Sequence, residues 1–144
     1  MATTPPDKLS VIVQSGDFDR VHYALMTVAA AVAVNMPATL FFTMGACRAL
    51  AKPQDGRPGW AAMRTAGGDE AAAWDAGLEA RKLATFEELL EACVALGARI
   101  MVCETGLAAM DMEASDLRAD VPAEVTGLVS FLKDSSATGT TLFV

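Results

Sequence analysis

The stretch Arg99-Ile100-Met101-Val102-Cys103-Glu104-Thr105-Gly106-Leu107-Ala108-Ala109-Met110 decides the fold. It opens as a short apolar run and changes at Cys103 into polar and small residues. A buried strand over Ala98 to Cys103 followed by a short helix over Thr105 to Met110 accounts for both halves. Upstream, Thr85-Phe86-Glu87-Glu88 reads as a capping box, in which a threonine hydroxyl and a glutamate side chain satisfy free amides at a helix start. Phe86, Leu89, Leu90, Cys93 and Val94 form one apolar stripe behind it, and Gly97 stops the helix. The region is therefore a helix, a strand and a helix in immediate succession.

The same alternation recurs on either side. Leu9 to Gln14 (LSVIVQ) is a strand that stops at the turn and cap residues Ser15-Gly16-Asp17. Val21, Ala24, Leu25, Val28, Ala29 and Val32 have helical spacing, in a helix that starts near Asp17 or Asp19 and ends by Asn35. Ala38 to Thr43 (ATLFFT) is a second strand. Val125, Leu128, Val129 and Leu132 mark a last helix, and Thr140 to Val144 (TTLFV) a closing strand. Strands alternating with helices imply right-handed parallel crossovers and a sheet covered on both faces, a three-layer α/β/α sandwich. Leu25 to Ala46 is free of charge over 22 residues and long enough to be read as a membrane span. Asn35 and Pro37 interrupt it, and a helix, a turn and a strand explain the run in a globular fold.

From Lys52 to Lys82, Pro53, Gly56, Pro58, Gly59, Gly67 and Gly68 punctuate a polar segment that holds both tryptophans, Trp60 and Trp74. This insertion at 52–82 is expected outside the core, as a lid over a crevice or an oligomer contact with a short helix from Asp69 to Ala80; a mobile insertion without a role is the alternative.

The chain of 144 residues fits one domain, 1–144, with residues 1–8 as a flexible tail. Hydrophobic residues make up 53%, more than an average domain needs for its own core, so a homo-oligomer is expected. Eleven Lys and Arg against 18 Asp and Glu leave a net charge of −7, which repels a phosphate backbone and argues against nucleic acid. Met1 to Lys8 lacks the regions of a secretory signal, so a cytoplasmic protein with no membrane partner is expected.

The ligand crevice of an α/β sheet lies beyond the carboxyl ends of its strands. Cys103 belongs there, with its sulfur facing the amides of the next helix, a field that favours thiolate, the nucleophilic form. An inward-turned Glu104 would oppose that. Free cysteines also serve as small buried hydrophobes, so position alone leaves both readings open. Cys47 follows the second strand at the same edge, beside Arg48, which would stabilise a thiolate or an anionic substrate; packing is the competing role. Cys93, on the capped helix's stripe, is read as core. Ser15, Gly16 and Thr105 belong to the loops that line the crevice. His22, one turn into the first helix, either packs or reaches that crevice. With one histidine and no paired cysteine spacing, neither a metal nor another cofactor is expected, and Ser15-Gly16-Asp17 lacks the rest of a nucleotide-binding loop.

Taken together, Gln14 to Arg20 (QSGDFDR), Thr39 to Gly45 (TLFFTMG), Phe86 to Leu90 through Gly97, the Cys103 stretch, and Thr141 to Val144 (TLFV) resemble, in order and spacing, the DsrE/DsrF-like family of small sulfur-handling proteins, in its peroxiredoxin-like branch. The resemblance covers most of the chain apart from the insertion. It implies a parallel sheet of about five strands in subunits that form homotrimers or homohexamers. It also implies a sulfurtransferase or sulfur carrier in which Cys103 holds sulfane sulfur as a persulfide, taken from and passed to partner proteins or small thiols, with Cys47 as a possible second thiol. Two rivals stand beside it: an oligomeric module that binds a small ligand or a protein, and peroxide reduction by the same thiol. For the last, the Pro-x-x-x-Thr-x-x-Cys arrangement of true peroxiredoxins is missing.

Overall fold

The computed structural model describes residues 4–144; Met1 to Thr3, part of the expected tail, lie outside the described residues. Five strands, β1 (Leu9–Val13), β2 (Ala38–Phe42), β3 (Arg99–Cys103), β4 (Ala123–Thr126) and β5 (Thr140–Phe143), form one sheet in the order β4-β3-β2-β1-β5. Every neighbouring pair is parallel. Five helices connect them: α1 (Phe18–Ala33), α2 (Ala71–Ala80), α3 (Phe86–Ala95), α4 (Glu104–Ala109) and α5 (Leu128–Asp134). A three-layer α/β sandwich with a parallel five-stranded sheet is thus the architecture.

Topology dictates how the two faces are covered. From β1 to β2, β3 and β4 the chain steps across the sheet in one direction, and right-handed crossovers then put their helices on the same face. Only the return from β4 to β5 crosses the opposite face, and its helix, α5, has seven residues.

Side-chain alternation divides the core accordingly. Val11, Val13, Leu40, Phe42, Ile100 and Val102 pack with α1 and α3 in the main cluster. Phe41, Met101 and Cys103, with Ile12 beside them, point the other way and meet Phe131 of α5.

The charge-free run from Leu25 to Ala46 divides where expected. Asn35 adopts a φ of 64°, the Asn35 N–H reaches the Val32 carbonyl at 3.1 Å and the Met36 N–H the Ala31 carbonyl at 2.9 Å. That hydrogen-bond pair is a Schellman ending, which stops α1 and releases the chain into β2. Gly97, with a φ of 87°, ends α3 in the same way before β3. At the start of α3 the capping box is formed: the Thr85 hydroxyl accepts from the Glu88 amide and the Glu88 carboxylate accepts from the Thr85 amide. Among the described residues no helix is long and apolar enough to cross a membrane.

Two expectations are corrected. Val125 does not belong to the last helix: it pairs with Val102 in β4, the fourth strand in the sequence, and the helix starts only at Leu128. Four strand residues between loops are too few for a period to be read in the sequence, and Gly127 is the break between the two elements. Nor does the insertion lie outside the core. Trp60, Ala61, Met63 and Ala71 are buried in the main cluster, where the Trp60 ring stacks on Phe18 and packs against Phe86. The Trp60 indole N–H donates to Glu87 at 2.8 Å, so one ring supplies apolar area and satisfies its own donor. Polar, glycine-rich flanks hide this anchor from a composition-based reading.

Candidate functional site

The loops after β1, β2 and β3 converge at the carboxyl edge of the sheet, and glycines let them interlock. A Cβ on Gly45 would stand 2.8 Å from the Gly16 Cα, and one on Gly106 would stand 2.5 Å from the Met44 nitrogen. At these two contacts only a hydrogen fits between backbones. Ser15 supports the first loop by accepting a hydrogen bond from the Asp17 amide at 3.0 Å. Met44, next to the Gly106 contact, adopts a φ of 49°, a conformation non-glycine residues rarely take. Strain at a rim where three loops meet marks this edge as a candidate site.

Cys103 ends β3 and is the N-cap residue of α4; its Sγ accepts a hydrogen bond from the Gly106 amide at 3.4 Å. Residues Glu104 and Thr105 form the exposed first turn of α4. The residue does not lie open at the rim, however: Cys103 is 6% exposed and shares a small apolar cluster with Phe41, Met101 and Phe131. Of the two readings the sequence leaves open, the structure thus places the side chain in the buried one, on the face of β3 that shares its cluster with Phe131 of α5.

Cys47 stands on the 3-10 turn Met44–Leu50 after β2, fully buried, with its Sγ 3.9 Å from the Phe42 carbonyl oxygen. Burial, with the charge of nearby Cys103 adding to it, pushes the Cys47 thiol up to about 12. Cys47 as placed is a sealed, protonated thiol, and it packs in the main cluster while Cys103 packs in the smaller one. Arg48 does not join them. It turns outward and lines a separate cavity of about 510 Å³ with Lys52, Asp55, Arg57, Asp111 and Asp116, a balanced mixture of charges.

Cys93 is buried among α1 and α3, its Sγ 3.5 Å from the Leu25 carbonyl oxygen, and burial pushes its thiol up to about 11. It is a packing residue. His22 is buried as well, with Nε2 at 2.9 Å from the Ala84 carbonyl oxygen, and so packs instead of reaching the crevice.

Sequence reasoning missed a second cluster at the opposite, amino edge of the sheet. The Asp134 carboxylate, at the end of α5, accepts hydrogen bonds from Lys8 Nζ at 2.7 Å, from Arg99 Nη1 at 2.7 Å and from the Thr39 hydroxyl. Burial would raise its pKa, and these three donors more than offset that, holding Asp134 below the usual carboxylate range. The residues are 35 to 126 positions apart, and no local spacing signals such a meeting.

No protein-family model matches the chain, and no curated protein sequence matches it. Among solved structures, the chain is similar to MTH1491, a protein of unknown function from Methanobacterium thermoautotrophicum, with a TM-score of 0.58 and 12% identity over 95% of this chain and 98% of that one. It is likewise similar to the ychN protein of E. coli, with a TM-score of 0.55 and 16% identity over 95% and 99% of the two chains. At such identities the likeness is one of fold.

Proposed function

We propose that the protein is a sulfurtransferase or sulfur carrier that holds sulfane sulfur as a persulfide on Cys103. One observation carries the reading: the Cys103 sulfur caps α4, and the Gly106 amide points a donor hydrogen at it, an arrangement that stabilises negative charge on sulfur. In the loading step the Cys103 thiolate attacks the outer sulfur of a donor persulfide. The new S–S bond forms to Cys103, and the donor's inner sulfur leaves as a thiolate. In the unloading step an acceptor thiolate attacks the outer sulfur on Cys103 and restores its thiolate, so the cycle needs no net oxidant. Cys47, sealed and protonated, is a bystander in this scheme unless the loop after β2 moves.

Donor and acceptor are protein or small thiols, and the protein works as a cytoplasmic homotrimer or homohexamer. Support for self-association comes from the α5 face, where Leu128, Val129, Leu132 and Phe143 are exposed beside a sheet covered by one short helix.

Burial of all three thiols favours a second reading, an oligomeric binding module in which the cysteines only pack. Intact mass after incubation with polysulfide separates the two. The carrier gains whole multiples of sulfur that dithiothreitol removes, and Cys103→Ser abolishes the gain while Cys47→Ser and Cys93→Ser keep it. Gain of oxygen with peroxide on Cys103 would instead mark a peroxide reductase, and a protein whose mass never changes is the binding module.

A further inference from the structure

Helix α5 is attached to the sheet in an uneven way. Its C-terminal end is tied by Asp134 to three donors, and the Lys8 ammonium also donates to the Asp134 backbone carbonyl at 2.6 Å. Phe131 is its only fully buried side chain, with the ring centroid 5.0 Å from that of Phe41. The N-terminal end follows Gly127, which offers no side-chain cap, and β4, a four-residue edge strand. A helix of seven residues does not persist without tertiary support, so one charged tie and one aromatic ring hold it in place. Beneath it lies the cluster that contains the Cys103 sulfur.

We propose that α5 is a latched cover over the Cys103 thiol, with the Phe131 ring as its plug and the Asp134 cluster as its latch, so that reagents reach the sulfur when the helix lifts. The lift is a local opening, less costly than unfolding the α1 and α3 face, because it exposes one large side chain and leaves the sheet paired. Phe131 thereby acts as a positioning residue for access, whichever chemistry Cys103 performs. Sulfur transfer, if it occurs at this thiol, proceeds through the lifted state.

The test is alkylation of the native full-length protein with N-ethylmaleimide, with the rates at Cys103 and Cys93 read separately by peptide mass spectrometry. Asp134→Asn, which removes the anion that Lys8 and Arg99 share on α5 and keeps the shape, while Arg99 retains Glu124, is expected to speed Cys103 alkylation by about tenfold or more, with Cys93 still reacting far more slowly than Cys103. Hydrogen exchange on the wild type gives an independent measure: amides of Leu128 to Asp134 exchange well ahead of those of α1, at the opening rate that Cys103 alkylation reports. Alkylation of Cys103 and Cys93 at one common rate, in wild type or variant, would mean that the thiol is reached only by global unfolding, and overturns the cover. So does a Cys103 rate indifferent to Asp134→Asn. If that variant does not fold, the wild-type comparison of the two thiols and the amide exchange decides. Alkylation needs no sulfane sulfur, so a protein that lifts α5 but never gains sulfur refutes the carrier and spares the cover.

Discussion

The two faces of the sheet are made by the same strands and behave as different materials. On one, α1, α3 and the insertion bury Leu25, Val28, Phe86, Leu90 and Trp60 against Val11, Leu40, Phe42 and Val102. On the other, α5 alone stands over Phe41 and Met101, and the ends of the strands are left to an ion cluster and to exposed apolar groups. The difference follows from winding direction: three crossovers in one direction stack their helices on one side, and a single return leaves the other side thin. It teaches where stability and where adaptability reside. The thick face holds most of the buried core, and the thin face, which carries Cys103, rests on one short helix.

The sharpest way to break this comparison is to remove one phenylalanine from each face. Phe86 and Phe131 are both fully buried. Phe86 is wedged between Phe18 and Trp60, where neighbours held by α1 and the insertion cannot close a void, so Phe86→Ala is expected to cost about 4 kcal/mol in denaturant unfolding. Phe131→Ala is expected to cost about half as much, because a short helix settles onto the sheet and fills part of the gap. Equal losses would mean that the thin face is as rigid as the thick one.

A smaller effect is expected from the latch, with a pH signature. The folded-state pKa of Asp134 lies below the usual carboxylate value of 3.8, so its contribution is fully present above that value and is lost as pH falls through the lowered one. Asp134→Asn is expected to reduce stability by about 1–3 kcal/mol at pH 7. The gap between wild type and variant stays level down to about pH 5 and narrows progressively as pH falls below about 4. Carboxylates such as Glu87 and Asp120, also held low by Arg118, titrate in both proteins and cancel in the difference. A gap that does not narrow at all as pH falls below about 4 would show that the Asp134 charge does not hold α5.

These contrasts also explain what could be read from the sequence. Elements of the thick face announce themselves through helical stripes and caps, as in Thr85 to Gly97, and β1, β2 and β3 beneath it carry apolar runs, whereas the four residues of β4 do not. The Cys103 junction, strand into helix, was legible because the chemistry changes within a single residue. Burial of that sulfur was not legible, since it depends on which face of β3 the side chain takes and on a helix that arrives 25 residues later. Trp60 and the Asp134 cluster were hidden for a related reason: each is a long-range meeting, and local spacing is silent about those. Gly45 and Gly106 were visible as glycines, but the backbone contacts that require them appear only when two loops are placed together.

The smallest effect on stability is expected where the two roles of the thin face compete. Val129 is 65% exposed on the outer side of α5, with Leu128 and Leu132 beside it. Val129→Glu leaves unfolding of the isolated subunit within about 0.5 kcal/mol of wild type, since the side chain makes little contact there. If copies of the chain meet through this surface, the buried charge has no partner in the contact, and light scattering reports a lower mass for the variant than for wild type. Self-association at the outer side of α5 also presses the cover shut, because the helix cannot lift without parting the subunits. The same substitution should then speed Cys103 alkylation in proportion to the loss of assembly. A wild type that is monomeric at all concentrations removes the contact and leaves α5 held by Phe131 and Asp134 alone; a lower mass with an unchanged alkylation rate means that copies meet on this face without bearing on the cover.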